Sequence, residues 1–194
     1  MARSKLRSRR EVAARIDHLT GVLRAALAML PAAAEDPAVV AAVWQAEGLG
    51  TLLWALGRAE LPPFDRPFDH AQLLTTPVGE GTLRPLPEII QGREIARLWH
   101  WRARTALLRA GSEPELPGDW QSYEQLVAAT AMRGHERGLL PRPVRGDFPA
   151  FGTGYRELAP DQQSEALSIA FERHRALNWL CGAGKDWETT PTDT

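Results

Sequence analysis

The stretch Glu172-Arg173-His174-Arg175-Ala176-Leu177-Asn178-Trp179-Leu180-Cys181-Gly182 places a histidine, an asparagine and a cysteine in an otherwise apolar helical pattern. At about 100° per residue, these three polar residues share one side with Leu167 and Phe171, and further apolar residues lie roughly opposite. Only a wedge containing Ser168, Glu172 and Arg175 is left for water. We therefore predict a central helix over residues 160–181, covered on two sides, whose buried polar groups need partners.

A second central helix is predicted over residues 87–110, where Gly111 ends a run that is apolar on two adjacent faces. Its remaining stripe carries Arg93, Arg97, His100 and Arg104, spaced by four, three and four residues. Side chains at this spacing are neighbours on a helix, so the like charges repel by a few tenths of a kcal/mol per pair unless an anion lies across them.

The remaining helices are predicted mainly from their caps. Ser8 and Glu11 form a capping box that starts an amphipathic helix ending near Pro31, and Asp36-Pro37 starts a helix that ends at Gly57. A kink or break is expected at Gly48-Leu49-Gly50, where the apolar phase slips. A short helix capped by Asp69, a helix ending near Gly138 and an irregular segment over residues 139–160 complete the chain.

No run of alternating β-branched residues is present, so the predicted fold class is all-α. We expect a single-domain bundle of about six helices around two buried central helices (87–110 and 160–181), with long proline- and glycine-rich loops. The chain has 194 residues, of which 44% are apolar, enough for one core. Residues 1–8 are predicted to be a basic, disordered arm, and residues 9–194 a single helical domain.

Charge and cysteine content restrict the functional classes. A formal net charge of −1 excludes general electrostatic attraction to nucleic acid, although the arm is a local basic patch. The single cysteine, Cys181, rules out an internal disulfide and is expected to be a small buried side chain. Charged residues interrupt the signal-like N-terminus, and no apolar run approaches the roughly 20 residues of a membrane span. We therefore expect a cytoplasmic protein that does not contact a membrane.

Several motifs together resemble the bacterial family known as domain of unknown function 4272. They are Leu52-Leu-Trp-Ala-Leu-Gly57, Glu60-Leu-Pro-Pro63 with Asp65, Leu83-Arg84-Pro85, Leu98-Trp-His-Trp-Arg102, and residues 172–181 with Trp187 and Thr192-Asp193-Thr194. The resemblance spans most of the chain and is most specific at the C-terminal motif. It implies an uncharacterised helical domain and assigns no activity.

The candidate binding residues are Arg97, His100, Arg104, His174 and Asn178. His174 and Asn178 lie one turn apart, where they can share a ligand or satisfy the backbone of a neighbouring loop or of the tail. If His100 and His174 converge, a polar pocket forms between the central helices. The arginine stripe is either a solvated face, a surface covered by the acidic tail (Asp186, Glu188, Asp193 and the terminal carboxylate), or a site for an external anion.

No catalytic residue is assigned, because no recognised nucleophile motif is present, and metal and cofactor sites are not predicted. The favoured function is a non-catalytic binding module for a protein or a small anionic ligand. Two alternatives stay open: a small hydrolase-like enzyme using His174 and Asn178 in a pocket, and a nucleic-acid binder using the basic arm. The oligomeric state is not determined by the sequence.

Overall fold

Six helices build the part of the chain that the computed structural model describes, which is residues 6–79, 81–111, 116 and 118–194. They are α1 (Arg9–Ala33), α2 (Pro37–Ala55), α3 (His70–Thr75), α4 (Leu86–Gly111), α5 (Tyr123–Glu136) and α6 (Pro160–Leu180). The predicted all-α class and the single helical bundle are confirmed.

The predicted caps start the helices where the sequence places them. At α1 the Ser8 hydroxyl accepts from the Glu11 amide, while the Glu11 carboxylate accepts from the Ser8 amide at 2.8 Å. Asp36 caps α2 and Asp69 caps α3 in the same way. The predicted end of α1 near Pro31 was short by two residues, because this proline lies in the last turn, where the missing N–H interrupts little of the helix.

Helix α2 is continuous, so the predicted kink at Gly48-Leu49-Gly50 was wrong. The two glycines leave space for aromatic rings instead: a Cβ at Gly48 would lie 2.9 Å from the Trp187 ring, and one at Gly50 would lie 2.4 Å from the Phe68 ring. Glycine at these positions lets the rings pack on the helix backbone while the helical hydrogen bonds continue.

Helix α2 is also long and apolar enough to cross a membrane by length and composition, with 19 residues and a mean hydropathy of 1.3 in its most apolar window. The prediction that no apolar run approaches this length was therefore wrong. In the structure 61% of that window is buried, and its second half is buried on every side. Packing inside the bundle accounts for the apolar composition.

The helices pack in the order α1, α2, α6 and α4, so α2 joins the predicted central helices inside the bundle. The core between them is formed by leucines, isoleucines and several aromatic rings, including Phe64, Trp99 and Phe148. Because α4 and α6 are neighbours, the His100 and His174 positions face one another.

The irregular segment over residues 139–160 contains a small hairpin. Strand β1 (Pro149–Ala150) pairs with β2 (Thr153–Gly154) in antiparallel register, and a 3₁₀ helix, Tyr155–Glu157, follows. Aromatic side chains anchor this segment to the bundle, because Phe148 and Tyr155 are fully buried and Phe151 is half-buried.

The segment before α1 is fastened to the end of α6 by Arg7. The Arg7 amide donates to the Leu180 carbonyl at 2.9 Å, and its guanidinium donates to the carbonyls of Trp179, Gly184 and Lys185. These contacts satisfy carbonyls that the end of a helix leaves unpaired. Of the predicted disordered arm, residues 1–5 lie outside the described residues, and Arg7 is bound to the bundle.

Candidate functional site

His100 of α4 and His174 of α6 meet between the two helices. Their Nδ1 atoms are 3.1 Å apart, and their ring centroids are 5.3 Å apart. His100 is 4% exposed and His174 is 1% exposed. The convergence that the sequence left conditional therefore takes place, at hydrogen-bond distance and in the interior of the protein.

Asn178 determines how the protons are placed on this pair. Its Oδ1 accepts from Arg93 Nε at 2.5 Å, and its Nδ2 donates to the Pro191 carbonyl at 2.8 Å. These two contacts fix the orientation of the amide, so the group 2.9 Å from His174 Nε2 is the Asn178 NH₂. His174 Nε2 must then accept, and its Nδ1 carries the proton that is donated to His100 Nδ1. Both imidazoles are neutral, with the His100 proton on Nε2.

Burial keeps these two rings uncharged. Desolvation, with a smaller effect of Arg104, lowers the pKa of His100 to about 4. Desolvation also lowers the pKa of His174 to about 3, with His100 and Arg93 as the next causes. The relay from Arg93 through Asn178 and His174 to His100 therefore holds one protonation state across the neutral range.

The side chains of His100, His174 and Asn178 are in direct contact with one another, so no space for a ligand separates their polar atoms in the predicted pocket. Along the described residues, five cavities of about 300 to 590 Å³ have other linings. A general base must reach a proton of its substrate, and both ring nitrogens of the buried His174 are already within 3.1 Å of protein groups. No group of three or more His, Cys, Asp or Glu side chains converges among the described residues.

The arginine stripe of α4 divides into two parts. Arg93 is half-buried against Asn178, whereas Arg97 is half-exposed and Arg104 is exposed. The tail does return to this region, but through the Pro191 carbonyl; the tail carboxylate Glu188 instead faces Arg15 on α1 at 3.6 Å. Of the alternatives for the stripe, cover by the acidic tail therefore does not apply to Glu188.

Arg97 has its internal partner on its own helix. Its guanidinium donates to both carboxylate oxygens of Glu94, at 3.1 and 2.9 Å. The hydrogen bond from Arg97 lowers the pKa of Glu94, with burial opposing it and the charges of Arg97 and Arg137 adding to it. The same carboxylate lies 3.9 Å from Arg137 at the end of α5, so Glu94 serves two guanidiniums.

A cleft of about 410 Å³ opens between α4 and α5 beside this group. Arg97, Arg133 and Arg137 line it, together with Glu136 and the helix surface around Thr130. We call this feature the α4–α5 cleft. Of the five candidate binding residues, only Arg97 lines it.

A buried ion pair that the sequence reading missed joins α2, α6 and the proline-rich connection over residues 61–69. Arg173 Nε donates to Glu47 at 2.8 Å, and both side chains are fully buried. The guanidinium also donates to the Pro62, Pro63 and Arg66 carbonyls, while Glu47 accepts from the Phe68 amide. The signal was available: Glu47 is the one charged residue in the otherwise apolar α2, and a lone charge in such a helix needs a partner.

Glu172 was misplaced by the sequence reading, which left it in a solvated wedge. It is 5% exposed, lies near Gly48 of α2 and is bonded to Arg175 at 2.5 Å. Burial raises the pKa of Glu172 to about 7, against the lowering effect of Arg175. Trp187 of the tail packs against Arg175 and Trp179 of the same helix, and a helical wheel cannot show contacts with α2 or with a segment that follows the helix.

A second missed pair joins α4 to the hairpin segment. Arg102 donates to both carboxylate oxygens of Asp147 at 2.7 Å, and both side chains are buried. Asp147 also accepts from the Phe148 and Arg156 amides. Arg102 lies in the Leu-Trp-His-Trp-Arg motif, where its position among buried aromatics was the available signal.

Cys181 is 5% exposed, as expected for a packed thiol, and burial raises its pKa against the smaller effect of Arg93. The basic residues before α1 are engaged in part: Arg7 binds the end of α6, and Arg9 donates to the Gly79 and Gly81 carbonyls. These contacts leave Arg10 as the exposed cation at the start of α1.

Comparison with known proteins returned one family. A family model described as "Domain of unknown function (DUF4272)" matches residues 27–129, which cover the end of α1 through the middle of α5. The C-terminal motif over residues 172–181 lies beyond the matched range. Neither the curated proteins nor the solved structures contain a significant match.

Proposed function

The chain belongs to the family described as "Domain of unknown function (DUF4272)", and since that description assigns no activity, we propose that the protein is a non-catalytic module that binds an acidic protein segment at the α4–α5 cleft. The observation that supports this proposal is the set of three arginines, Arg97, Arg133 and Arg137, on the walls of one cleft. A cytoplasmic location is part of the same proposal.

Positive charge exceeds negative charge at the α4–α5 cleft. Glu94 is shared between Arg97 and Arg137, while the Arg133 guanidinium donates to the Ala129 carbonyl and lies 5.8 Å above the Trp120 ring. Among the described residues that line the cleft, Glu136 carries the carboxylate, and Glu94 lies next to the lining. Arg104 extends the cationic surface two turns further along α4. Carboxylates of a partner can pair with these guanidiniums in a bidentate geometry.

Exposed apolar side chains on the same two helices favour a protein segment as the partner. Met132 lies next to Arg133 on α5 and is 48% exposed, and Leu107 and Leu108 near the end of α4 are 58% and 46% exposed. Arginine and methionine are enriched at the contact surfaces of proteins, and apolar surface next to cations matches a segment that carries both carboxylates and apolar groups.

A direct test uses a fluorescein-labelled peptide of alternating glutamate and leucine, with binding followed by fluorescence anisotropy. Arg133→Glu/Arg137→Glu should weaken binding at least about tenfold, since both substitutions replace a lining arginine with a charge that repels the peptide. Arg10→Glu/Arg142→Glu changes the net charge equally at exposed arginines that do not line the cleft, and should change the affinity by less than about twofold.

The two double variants separate a site from general attraction. Equal weakening by both would show that the peptide responds only to net charge, and unchanged binding by both would show that the peptide binds elsewhere. Either result would reject the cleft as the binding surface.

A further inference from the structure

A second arginine-lined cavity, of about 300 Å³, lies at the C-terminal half of α4. It is bounded by α4, α5, the 3₁₀ helix and the first turn of α6. Its polar lining consists of Arg102, Thr105, Arg109, Arg156 and Gln163. Among the described residues, no carboxylate lines this cavity. It shares no lining residue with the α4–α5 cleft.

Arg102 supplies a buried guanidinium whose orientation is fixed by its ion pair with Asp147. Its side chain is 6% exposed, and Asp147 occupies its Nε and Nη2 at 2.7 Å each. Its Nη1 has no protein partner among the described residues, and it is not one of the fully buried side-chain atoms there that lack a partner, which are Arg175 Nε and Trp187 Nε1. Arg102 Nη1 is therefore not fully buried, and Arg102 is one of the residues that line the cavity.

Thr105 adds a hydroxyl that is not used by its own helix. Buried threonines in helices commonly donate to the carbonyl four residues earlier, as Thr51 does to Glu47 at 2.7 Å and Thr20 does to Ile16 at 2.8 Å. Thr105 is 7% exposed, lies one turn after Trp101, and makes no such bond among the described residues. Its hydroxyl is free to donate to a group in the cavity.

The other two arginines of the lining are exposed. Arg109 is held by Glu124 at 2.6 Å, and the Arg156 guanidinium donates to the Arg145 carbonyl at 2.5 Å. Among the described residues, Arg156 forms no ion pair within 4.0 Å. Three arginines therefore line the cavity: Arg102 and Arg109 each have a carboxylate partner that does not line it, and Arg156 has none.

We propose that this cavity is a binding site for a phosphate-class oxyanion, either free phosphate or the phosphate group of a small monoester. Arginine guanidiniums pair with phosphate oxygens through parallel N–H donors, and buried donors strengthen that pairing. The Gln163 Nε2 is occupied by the Leu158 carbonyl at 2.9 Å, which leaves its Oε1 to accept from a protonated phosphate oxygen. A volume of about 300 Å³ is at the small end of ligand sites and suits an anion of this size.

The experiment is a titration of the full chain with inorganic phosphate at constant ionic strength, followed by amide chemical shifts. The amides of Thr105, Arg109 and Arg156 should shift and saturate with phosphate and not with chloride. Arg156→Gln should weaken phosphate binding at least about tenfold, because it removes a charged donor. Arg156→Lys should retain part of the affinity, since it keeps the charge.

A further site variant, two control variants and a second ligand make the result decisive. Thr105→Val, which is nearly isosteric, should weaken binding several-fold without unfolding the protein, and Arg10→Gln should leave binding unchanged. Arg97→Gln should also leave it unchanged, because Arg97 belongs to the α4–α5 cleft. Phenyl phosphate serves as the monoester probe: tighter binding than phosphate identifies a monoester as the ligand, and weaker binding identifies free phosphate.

Absence of saturation, an equal response to chloride, or an Arg97→Gln variant that weakens phosphate as strongly as Arg156→Gln would each overturn the proposal. Because the acidic peptide and phosphate are tested at different arginines, failure of one site leaves the result for the other intact.

Discussion

At the scale of single residues, the arrangement of His100, His174 and Asn178 is a relay of hydrogen bonds that ties α4, α6 and the tail together. Each member has a partner inside the protein, and the last link is the Pro191 carbonyl. A network of buried hydrogen bonds favours one packing of the helices, because other packings leave donors or acceptors without partners. In the described structure these bonds hold α4, α6 and the tail together.

This relay predicts a specific pH dependence. Both histidines have a folded-state pKa below the ordinary 6.5, at about 4 for His100 and about 3 for His174. Their contribution to stability is present above pH 6.5 and is lost as the pH falls through these values, because the unfolded chain then binds more protons. Below pH 6.5 the free energy of unfolding should fall by up to about 1.4 kcal/mol per pH unit for each histidine.

Two measurements test the proton assignment of the two histidines and the pH dependence of stability. Long-range ¹H–¹⁵N spectra at about pH 6 should show the proton of His174 on Nδ1 and that of His100 on Nε2. His100→Phe should lower the free energy of unfolding by about 1–3 kcal/mol at neutral pH, since His174 Nδ1–H loses its acceptor, and should reduce the pH slope. His18→Gln, at an exposed position of α1, should do neither. A protonated imidazolium at pH 6 would contradict the assignment.

At the scale of elements, the second half of α2 is a packing surface for two aromatic rings, which lie against its glycines. Gly48 and Gly50 face the Trp187 and Phe68 rings, which come from the tail and from the proline-rich connection. Two segments distant in sequence thus approach the same helix face. The sequence pattern predicts a helix break at these glycines, whereas in the structure they provide the surface on which the two rings pack.

A matched pair of glycine substitutions tests this. Gly50→Ala should lower the free energy of unfolding by about 1–3 kcal/mol in urea denaturation, because its Cβ overlaps the Phe68 ring in a packed core. Gly21→Ala, on the exposed face of α1 with nothing within 4 Å of its Cβ, should raise it by about 0.5–1 kcal/mol through helix propensity. Stabilisation by both would show that the glycine in α2 is not needed for packing.

At the scale of the whole molecule, Arg173 and Glu47 join three parts of the chain at one buried point. The Arg173 guanidinium donates hydrogen bonds to three backbone carbonyls of the proline-rich connection over residues 61–69. The Phe64 and Phe68 rings lie 4.9 and 5.1 Å from it. An irregular proline-rich segment cannot satisfy its own carbonyls, so a buried arginine supplies the donors.

Removing the Arg173 guanidinium should strongly lower the free energy of unfolding. Arg173→Met should lower the free energy of unfolding by about 3–5 kcal/mol, because it leaves the Glu47 carboxylate buried without a cation. Glu47→Gln/Arg173→Met should recover part of the loss. Arg175→Met, on the same helix, should cost less, since its partner Glu172 has a pKa raised to about 7 and can take up a proton. Equal losses for the two single variants in chemical denaturation would contradict this account.

Much of the helical layout could be predicted from local residues. Capping by Ser8, Asp36 and Asp69 acts within four residues of each helix start, and periodic apolar residues identify α4 and α6 whatever surrounds them. The choice of His174 and Asn178 as buried polar residues was available from the same periodicity. The family resemblance extended this layout without adding chemistry.

By itself the sequence determined the all-α class, most helix boundaries and the presence of polar side chains inside the bundle, because helix geometry and capping depend on neighbours in the chain. Only the tertiary structure decided which partner each polar group finds. His174 bonds His100 on another helix, Arg173 satisfies the carbonyls of a loop, and Glu172 is buried near Gly48 of α2. These contacts join residues far apart in the chain, and a one-dimensional pattern contains no distance between them.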